Sequence, residues 1–360
     1  MSETDTPLDP VPPADPPAVD VPTTGAWSAD PVLDGYELLS IDLPDAERAD
    51  GEPEDVPITA SLVRRNASRH RRAVIYVHGW SDYFFQTWMA DFFDAQGFDF
   101  YALELRRYGR GLREGLLGGY ITDLSEYFDE LDRALELVSE GHDAVTLMAH
   151  STGGLVASLW ANERPGAIDG LILNSPWLDF SGSPVMRVAT EALTVPMATR
   201  AATRTLPLPE SGHYLRSIHS SLDGEWDFNL DLKRNPSFTI RPGWMAAILA
   251  GHKKVRQGLS IEAPVLSMMS AKSFFGRTWS PEHQISDTVL DVEVLSKRSV
   301  MLGPNVTVLR FTDGLHDLML SSEPVRQTVF ASIERWLSAW TGQDAPSDRA
   351  TPHDDDARKV

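Results

Sequence analysis

The segment Ala149–Gly154 places a serine between small residues, at the junction of an apolar stretch and a helical pattern. Ser151 stands where a nucleophile elbow requires its serine, in a tight turn that leaves a strand and enters a helix. Such a turn has no room for large side chains two positions before and after the serine, and Ala149 and Gly153 meet that demand. The sequence therefore predicts that Ser151 is a nucleophile. The alternative is a capping serine in an ordinary strand-to-helix turn.

A second motif, His78-Gly79, ends the apolar stretch Ala73–Val77. When a serine attacks a carbonyl group, the carbonyl oxygen becomes an anion, which backbone N–H groups fixed in advance stabilise. We expect the N–H groups of Trp80 and Thr152 to form this oxyanion hole. Thr152 also lies at the positive end of its predicted helix. His78 itself is expected to be structural.

His316 is the predicted general base. It lies in a loop between the last predicted strand, Val306–Leu309, and the last predicted helix. A histidine at this place can reach back to a serine that follows an earlier strand, in the chain order serine, acid, histidine. The other histidines lie in less suitable places, namely a tail, a polar loop or the irregular middle of the chain.

The acid that would orient the histidine is harder to assign. Asp287 and Asp291 both lie upstream of the histidine, as the chain order requires. Asp291 can also be explained as the N-cap of a helix that begins at Val292, whereas Asp287 has no such structural explanation. The sequence therefore favours Asp287 and leaves Asp291 as the alternative. Asp313 and Asp317 are disfavoured because they are too close in sequence to the histidine.

Short apolar stretches alternate with helical patterns along most of the chain, which is typical of a mostly parallel sheet covered by helices on both faces. The predicted helices follow helical spacing over residues 124–138, behind a capping box, and over residues 325–340. The predicted strands are Ala73–Val77, Phe98–Leu103, Ala144–Ala149, Gly170–Leu173, Pro264–Met269 and Val306–Leu309, preceded by a hairpin over Tyr36–Leu43 and Val56–Val63.

Residues 176–262 interrupt this alternation, because they contain helical patterns and no convincing strand. We expect an inserted helical cap here, between core segments 27–175 and 263–340, over the edge of the sheet that carries active sites in such folds. Residues 1–26, acidic and rich in proline, and residues 341–360 are expected to form unpacked tails.

Within the predicted cap, four apolar residues repeat at helical spacing. They could form an acyl or alkyl binding site, although such a stripe is at least as often the core of the cap itself. These predicted substrate-binding residues are Trp244, Met245, Ile248 and Leu249.

The composition excludes several classes of function. The chain has no cysteine, so thiol catalysis and disulfides are excluded. Most of the net charge of -20 comes from the first 56 residues, and the nearly balanced remainder argues against nucleic-acid binding. No apolar run approaches the roughly 20 residues that span a bilayer, and no leader pattern is found, so we expect a cytoplasmic protein. No metal-binding spacing occurs and no cofactor is expected; the sequence does not indicate an oligomeric state.

Over residues 57–340 the chain resembles a group of α/β-hydrolase superfamily serine hydrolases that includes monoacylglycerol lipases, lysophospholipases and serine aminopeptidase-like enzymes. The resemblance lies in His78-Gly79, His150–Gly154, Ser286–Asp291 and Gly314–Asp317, and the loop Leu105–Gly111 resembles the arginine- and glycine-rich loop of these proteins. In one respect the chain departs from the group. The acid of the group follows its strand within a few residues, whereas here Ser270–Ile285 intervene.

This resemblance implies the α/β-hydrolase fold with an inserted helical cap, and hydrolysis of a carboxylic ester through an acyl-enzyme. It favours a lipid-like ester of the monoacylglycerol or lysophospholipid type as the small-molecule partner. Amide or peptide hydrolysis and acyl transfer are the alternatives on the same residues. A binding module that keeps the fold without catalysis is the alternative from another class.

Overall fold

The central feature of the structure, a computed structural model that describes residues 25–65, 69–180, 184–206 and 210–340, is one twisted sheet. Its nine strands are β1 Ser28–Ala29, β2 Glu37–Asp42, β3 Thr59–Arg64, β4 Arg72–Val77, β5 Phe98–Glu104, β6 Ala144–His150, β7 Gly170–Asn174, β8 Val265–Ser270 and β9 Val306–Phe311. They follow the order β1-β2-β3-β5-β4-β6-β7-β8-β9.

The six strands from β5 to β9 in this order run parallel, and the first three are antiparallel. All six predicted apolar strands and the predicted hairpin are confirmed, with boundaries shifted by one to three residues. The short strand β1 was not predicted, because two residues carry no periodic signal. The predicted α/β class with a mostly parallel sheet is confirmed.

Eight α-helices lie among the described residues: α1 Thr87–Ala95, α2 Phe128–Ser139, α3 Ser151–Glu163, α4 Pro184–Ala201, α5 His213–Ile218, α6 Pro242–Gln257, α7 Val292–Ser299 and α8 Glu323–Trp340. The predicted capping box is present. The Asp123 side chain accepts backbone N–H groups of the first turn, and the Glu126 side chain accepts the Asp123 N–H. It begins a 3₁₀ turn, Leu124–Tyr127, that leads into α2.

Alternate residues of the central strand β4 face two separate hydrophobic cores. Ala73, Ile75 and Val77 pack into the core on one face of the sheet, and Val74 and Tyr76 pack into the core on the other. Burial on both faces explains why this strand reads as a continuous apolar run in the sequence. The sheet is therefore a rigid base, and the loops at the carboxyl ends of its parallel strands are held close together.

The predicted insertion contains α4, α5 and α6, and its described part holds no strand beyond an isolated bridge between His219 and Trp226. Helix α6 packs against α3 and α4. The predicted tails lie outside the described residues, apart from positions 25 and 26. In the described part of the chain, none of the helices is long and apolar enough to cross a membrane.

Candidate active site

Ser151 occupies the turn between β6 and α3, where its backbone φ is 51°. A positive φ is uncommon for a residue other than glycine and marks a strained turn. The neighbouring backbone leaves no room for a side chain at Gly153: an added Cβ would collide with the carbonyl oxygen of His78 and lie 3.0 Å from that of Val77. The structure thus has the elbow geometry that the sequence pattern predicts, with Ser151 at its apex.

The imidazole of His316 connects the Ser151 hydroxyl to a carboxylate. Its Nε2 lies 3.1 Å from Oγ of Ser151, and its Nδ1 lies 2.9 Å from Oδ2 of Asp287. All three residues are buried, with 7%, 3% and 0% of the surface of Ser151, His316 and Asp287 exposed. A serine hydroxyl, an imidazole and a carboxylate hydrogen-bonded in this order can activate the serine as a nucleophile.

Asp287 reaches the site although a long segment separates it from β8. The chain leaves the sheet after Ser270 and returns so that the Asp287 N–H donates to the Lys272 carbonyl oxygen at 3.0 Å, and the Phe274 N–H donates to the Asp287 carbonyl oxygen at 2.8 Å. Asp287 therefore lies beside the residues that directly follow the strand. The intervening residues thus loop out from the end of the strand and return to it.

The three other aspartates considered as the acid have different surroundings. Asp291 caps α7, as its sequence context predicts, by accepting from the N–H groups of Glu293 and Val294. Asp317 accepts from the Asn174 side-chain amide at 2.7 Å and from the Met319 N–H at 2.9 Å. Asp313 is exposed on its loop. None of the three has a hydrogen bond to the His316 ring within the described part of the chain.

The two backbone groups expected to form the oxyanion hole belong to two segments that adjoin the serine, the loop after β4 and the first turn of α3. The loop after β4 runs against Ser151, since a Cβ added at Gly79 would lie 3.1 Å from the Ser151 Cβ. Thr152 is in the first turn of α3, whose N-cap makes no side-chain hydrogen bond. Neither the Trp80 nor the Thr152 N–H donates to another described residue, so both can bind a substrate oxygen.

Two further histidines close to the serine are held in structural roles. His78 accepts the Leu105 N–H at its Nε2, 3.1 Å away, and its Nδ1 lies 2.7 Å from the Gly79 carbonyl oxygen. His150 contacts the Asn174 carbonyl oxygen with its Nδ1 at 3.0 Å. Burial lowers the pKa of both imidazoles. At neutral pH both rings are therefore uncharged.

The predicted substrate-binding stripe on α6 is completely buried. Trp244 and Ile248 line a small cavity of about 10 Å³ together with Gly79 and Thr152, which has room for one water molecule at most. Met245 and Leu249 pack into the main core and do not line this cavity. The structure thus brings two of the four residues next to the loop after β4 that carries the Trp80 N–H, which we call the oxyanion loop.

Two aromatic residues near the site were not predicted from the sequence. The Trp177 N–H donates to the Ser151 carbonyl oxygen at 2.9 Å, and the Trp177 ring packs beside that of Trp244. The Tyr214 ring of α5 meets the His316 ring edge-on, with centroids 5.6 Å apart. The position of Trp177 directly after β7 could have indicated the site, whereas nothing in the sequence around Tyr214 points to it. No group of three or more potential metal ligands occurs among the described residues.

Comparisons with known proteins identify the family of the chain. Residues 68–274, more than half of the chain, match the family described as Serine aminopeptidase, S33. A curated relative, Phospholipase YtpA of Bacillus subtilis (strain 168), is 32% identical over 114 residues. This match spans 31% of the chain and 43% of the relative's length, so the likeness to that relative is confined to part of each protein.

Solved structures show the same fold at low sequence identity. The monoacylglycerol lipase of Paleococcus ferrophilus superposes with a TM-score of 0.57 and 18% identity, covering 78% of this chain and 98% of that one. A soluble variant of the monoglyceride lipase of Saccharomyces cerevisiae gives a TM-score of 0.57 and 15% identity over 82% of this chain and 96% of its own. The chain belongs to the serine aminopeptidase S33 family of α/β hydrolases.

Proposed function

We propose that the protein is a serine hydrolase that cleaves a carboxylic ester through an acyl-enzyme on Ser151. His316 is the general base, Asp287 orients it, and the N–H groups of Trp80 and Thr152 form the oxyanion hole. The observation that carries the proposal is the buried chain of hydrogen bonds from the Ser151 Oγ through His316 to Asp287. Residues 176–262 are proposed to form the cap over this site.

The chemistry follows from the position of each atom. His316 Nε2 takes the hydroxyl proton as Ser151 Oγ bonds to the carbonyl carbon, and the carbonyl oxygen becomes an anion facing the two N–H groups. The protonated His316, stabilised by the Asp287 carboxylate, then gives this proton to the departing alcohol oxygen. A water molecule, deprotonated by the same imidazole, then bonds to the acyl carbon; the bond from this carbon to Ser151 Oγ breaks, His316 returns the proton to Oγ, and the acid is released.

A lipid-like ester is the proposed substrate class, of the monoacylglycerol or lysophospholipid type. The surroundings of the serine support it, because Trp80, Trp177 and Trp244 form an apolar aromatic wall with ring centroids 4.0 and 5.9 Å apart. The relatives named above, a phospholipase and two monoacylglycerol lipases, point the same way.

The proposal is tested by labelling the protein with a fluorophosphonate and by measuring hydrolysis of p-nitrophenyl esters from acetate to palmitate, a monoacylglycerol, a lysophospholipid and an aminoacyl amide. We expect labelling at Ser151 and faster hydrolysis of the esters than of the amide. Ser151→Ala should abolish both reactions with an unchanged melting temperature, because only one oxygen is removed. Faster cleavage of the amide would favour the peptidase alternative. A folded wild-type protein that neither labels nor hydrolyses any substrate would favour a binding module.

A further inference from the structure

A segment of the insertion, Asn229–Phe238, holds the loop that carries the Trp80 N–H; we call it the latch segment. We infer that Lys233 of the latch segment is a positioning residue that fixes the oxyanion donor of Trp80 by pairing with Asp82. This inference rests on the proposed function, since it assigns a part of the same site. It concerns how the site is held in shape, which neither the triad nor the family comparison addresses.

Three polar contacts join the latch segment to successive residues of the loop. The Phe238 N–H donates to the Ser81 Oγ at 3.2 Å. Lys233 Nζ lies 2.7 Å from Oδ1 of Asp82, and the Asn229 N–H donates to the Tyr83 hydroxyl at 2.9 Å. The insertion thus contacts every residue from 81 to 83, and these residues directly follow Trp80, whose N–H is the proposed donor.

The conformation of the loop explains why it needs this restraint. Ser81, the residue after Trp80, has a φ of 49°, a conformation that costs of order 1 kcal/mol or more outside glycine and persists when the surroundings enforce it. The Trp80 ring is also fixed from the insertion side, between Phe238 and Trp244, with ring centroids 5.6 and 4.0 Å away. The insertion therefore contacts both the Trp80 ring and the residues that follow Trp80.

The ion pair between Lys233 and Asp82 is buried. The Lys233 and Asp82 side chains are only 8% and 1% exposed. Burial alone would raise the pKa of Asp82, but the Lys233 ammonium group holds it below its usual value. The second oxygen, Oδ2, is buried and has no hydrogen-bond partner in the described part of the chain. Lys233 is thus the group that compensates the charge of Asp82 beneath the loop.

Loss of this pair should affect the transition state more than substrate binding. An oxyanion donor acts on charge that develops during the reaction, and its removal costs about 100- to 1,000-fold in kcat. A displaced donor retains part of its effect. We therefore expect Lys233→Met to lower kcat for p-nitrophenyl acetate about 10- to 100-fold while KM changes little.

A trifluoromethyl ketone provides a second measurement that a merely structural role would not move. Ser151 Oγ adds to its carbonyl carbon, the proton passes to His316 Nε2, and the resulting oxyanion occupies the same hole as in the reaction. Its inhibition constant should rise in Lys233→Met by the factor by which kcat/KM falls. Lys233→Arg, which keeps the charge, should recover most of kcat/KM and most of the affinity for the inhibitor.

A matched control is Arg256→Met. Arg256 also pairs with a buried carboxylate, with Nη1 2.9 Å from Oδ1 of Asp179. Both residues of this pair lie within the insertion, away from the loop that carries Trp80. This variant should lose stability and keep its kcat. Fluorophosphonate labelling of the wild type is measured in parallel: if the wild type is not labelled at Ser151, it is the proposed function that fails.

The double variant Asp82→Asn/Lys233→Met removes both buried charges and keeps the test decisive if Lys233→Met alone does not fold, since an unpaired buried charge is strongly destabilising. We expect the double variant to regain melting temperature and to remain slow. Retention of wild-type kcat by a folded Lys233→Met, or by the double variant, would overturn the inference. So would an equal loss of kcat in Arg256→Met.

Discussion

The carboxylate of Asp287 is held so that one oxygen is reserved for His316. Oδ2 lies 2.9 Å from the histidine Nδ1, while Oδ1 accepts the N–H groups of Val289 and Leu290, both at 2.8 Å. Backbone donors on one oxygen fix the plane of the carboxylate and leave the other oxygen directed at the imidazole. The Nδ1 proton is then held in place, and Nε2 is left as the acceptor that faces Ser151.

The first prediction compares Asp287→Asn with Asp291→Asn. An amide at position 287 can present its NH₂ group to Nδ1 and so favour the wrong tautomer, a change that costs about 10,000-fold in a serine protease triad. Asn at position 291 still caps α7 and should be nearly silent. Ester hydrolysis and melting temperatures of both variants check this. Loss of activity in a folded Asp291→Asn, with Asp287→Asn active, would transfer the role to Asp291.

The sequence was sufficient for the parts of the site that depend on local geometry. Strand β6, the turn at Ser151 and helix α3 follow one another without interruption, so the residue types alone indicate an elbow. His316 could also be assigned from the sequence. It follows the last strand, and parallel strands place their carboxyl ends at one edge of the sheet. Asp291 is identified as a cap by the residues that follow it.

Contacts between distant segments could not be predicted from the sequence. The return of Asp287 to the end of β8 depends on backbone hydrogen bonds to Lys272 and Phe274 across an excursion with no periodic pattern. The pairing of Lys233 with Asp82 joins positions 151 residues apart, and each residue alone resembles an ordinary surface charge. The apolar pattern indicated the buried side of α6. Which residues of this side approach the serine depends on how the helix is rotated against α3.

A second prediction concerns Gly153→Ala. The added methyl group would meet the backbone oxygens of His78 and Val77, which cannot move without displacing the oxyanion loop. We expect a loss of stability of about 1 to 3 kcal/mol or more together with a large fall in kcat. Gly258→Ala is the control, since its φ is 91° but no atom lies within 4 Å of its added Cβ. It should lose stability and retain the activity of the folded fraction; equal effects of both changes on kcat would contradict the prediction.

A third prediction links acid stability to Asp179. Burial would raise its pKa, but hydrogen bonds from Arg298 at 2.8 Å and Arg256 at 2.9 Å outweigh burial and lower it. Because the pKa is lower in the folded state, the ionised Asp179 carboxylate stabilises the fold above the pKa of the unfolded chain, about 3.9. This stabilisation is lost as the pH falls below that value. Asp179→Asn should therefore cost about 2 kcal/mol at pH 7.

The measurement for Asp179 is a series of unfolding curves between pH 7 and pH 3 on the wild type and Asp179→Asn. The difference in stability should be constant from pH 7 to about pH 5 and shrink below about pH 4. A difference that stays constant down to pH 3, or that grows on acidification, would show that the carboxylate is not the stabilising form.

The last prediction uses two neighbouring residues of α6 to separate substrate selection from packing. Ile248 and Leu249 are equally buried, at 1% and 3% exposure, so truncation of either to alanine should cost about 2 to 5 kcal/mol. Only Ile248 lines the small cavity beside Gly79 and Thr152.

Ile248→Ala should enlarge the space next to the oxyanion hole and raise the rate on longer p-nitrophenyl esters relative to acetate, roughly 10-fold. Leu249→Ala should slow no ester selectively, because it removes contacts in the core and leaves the wall of the site in place. The ratios of kcat/KM across the ester series, taken with the unfolding curves, distinguish the two effects. If both variants change stability alike and neither changes the ratios, the whole stripe belongs to the core and the acyl group binds elsewhere.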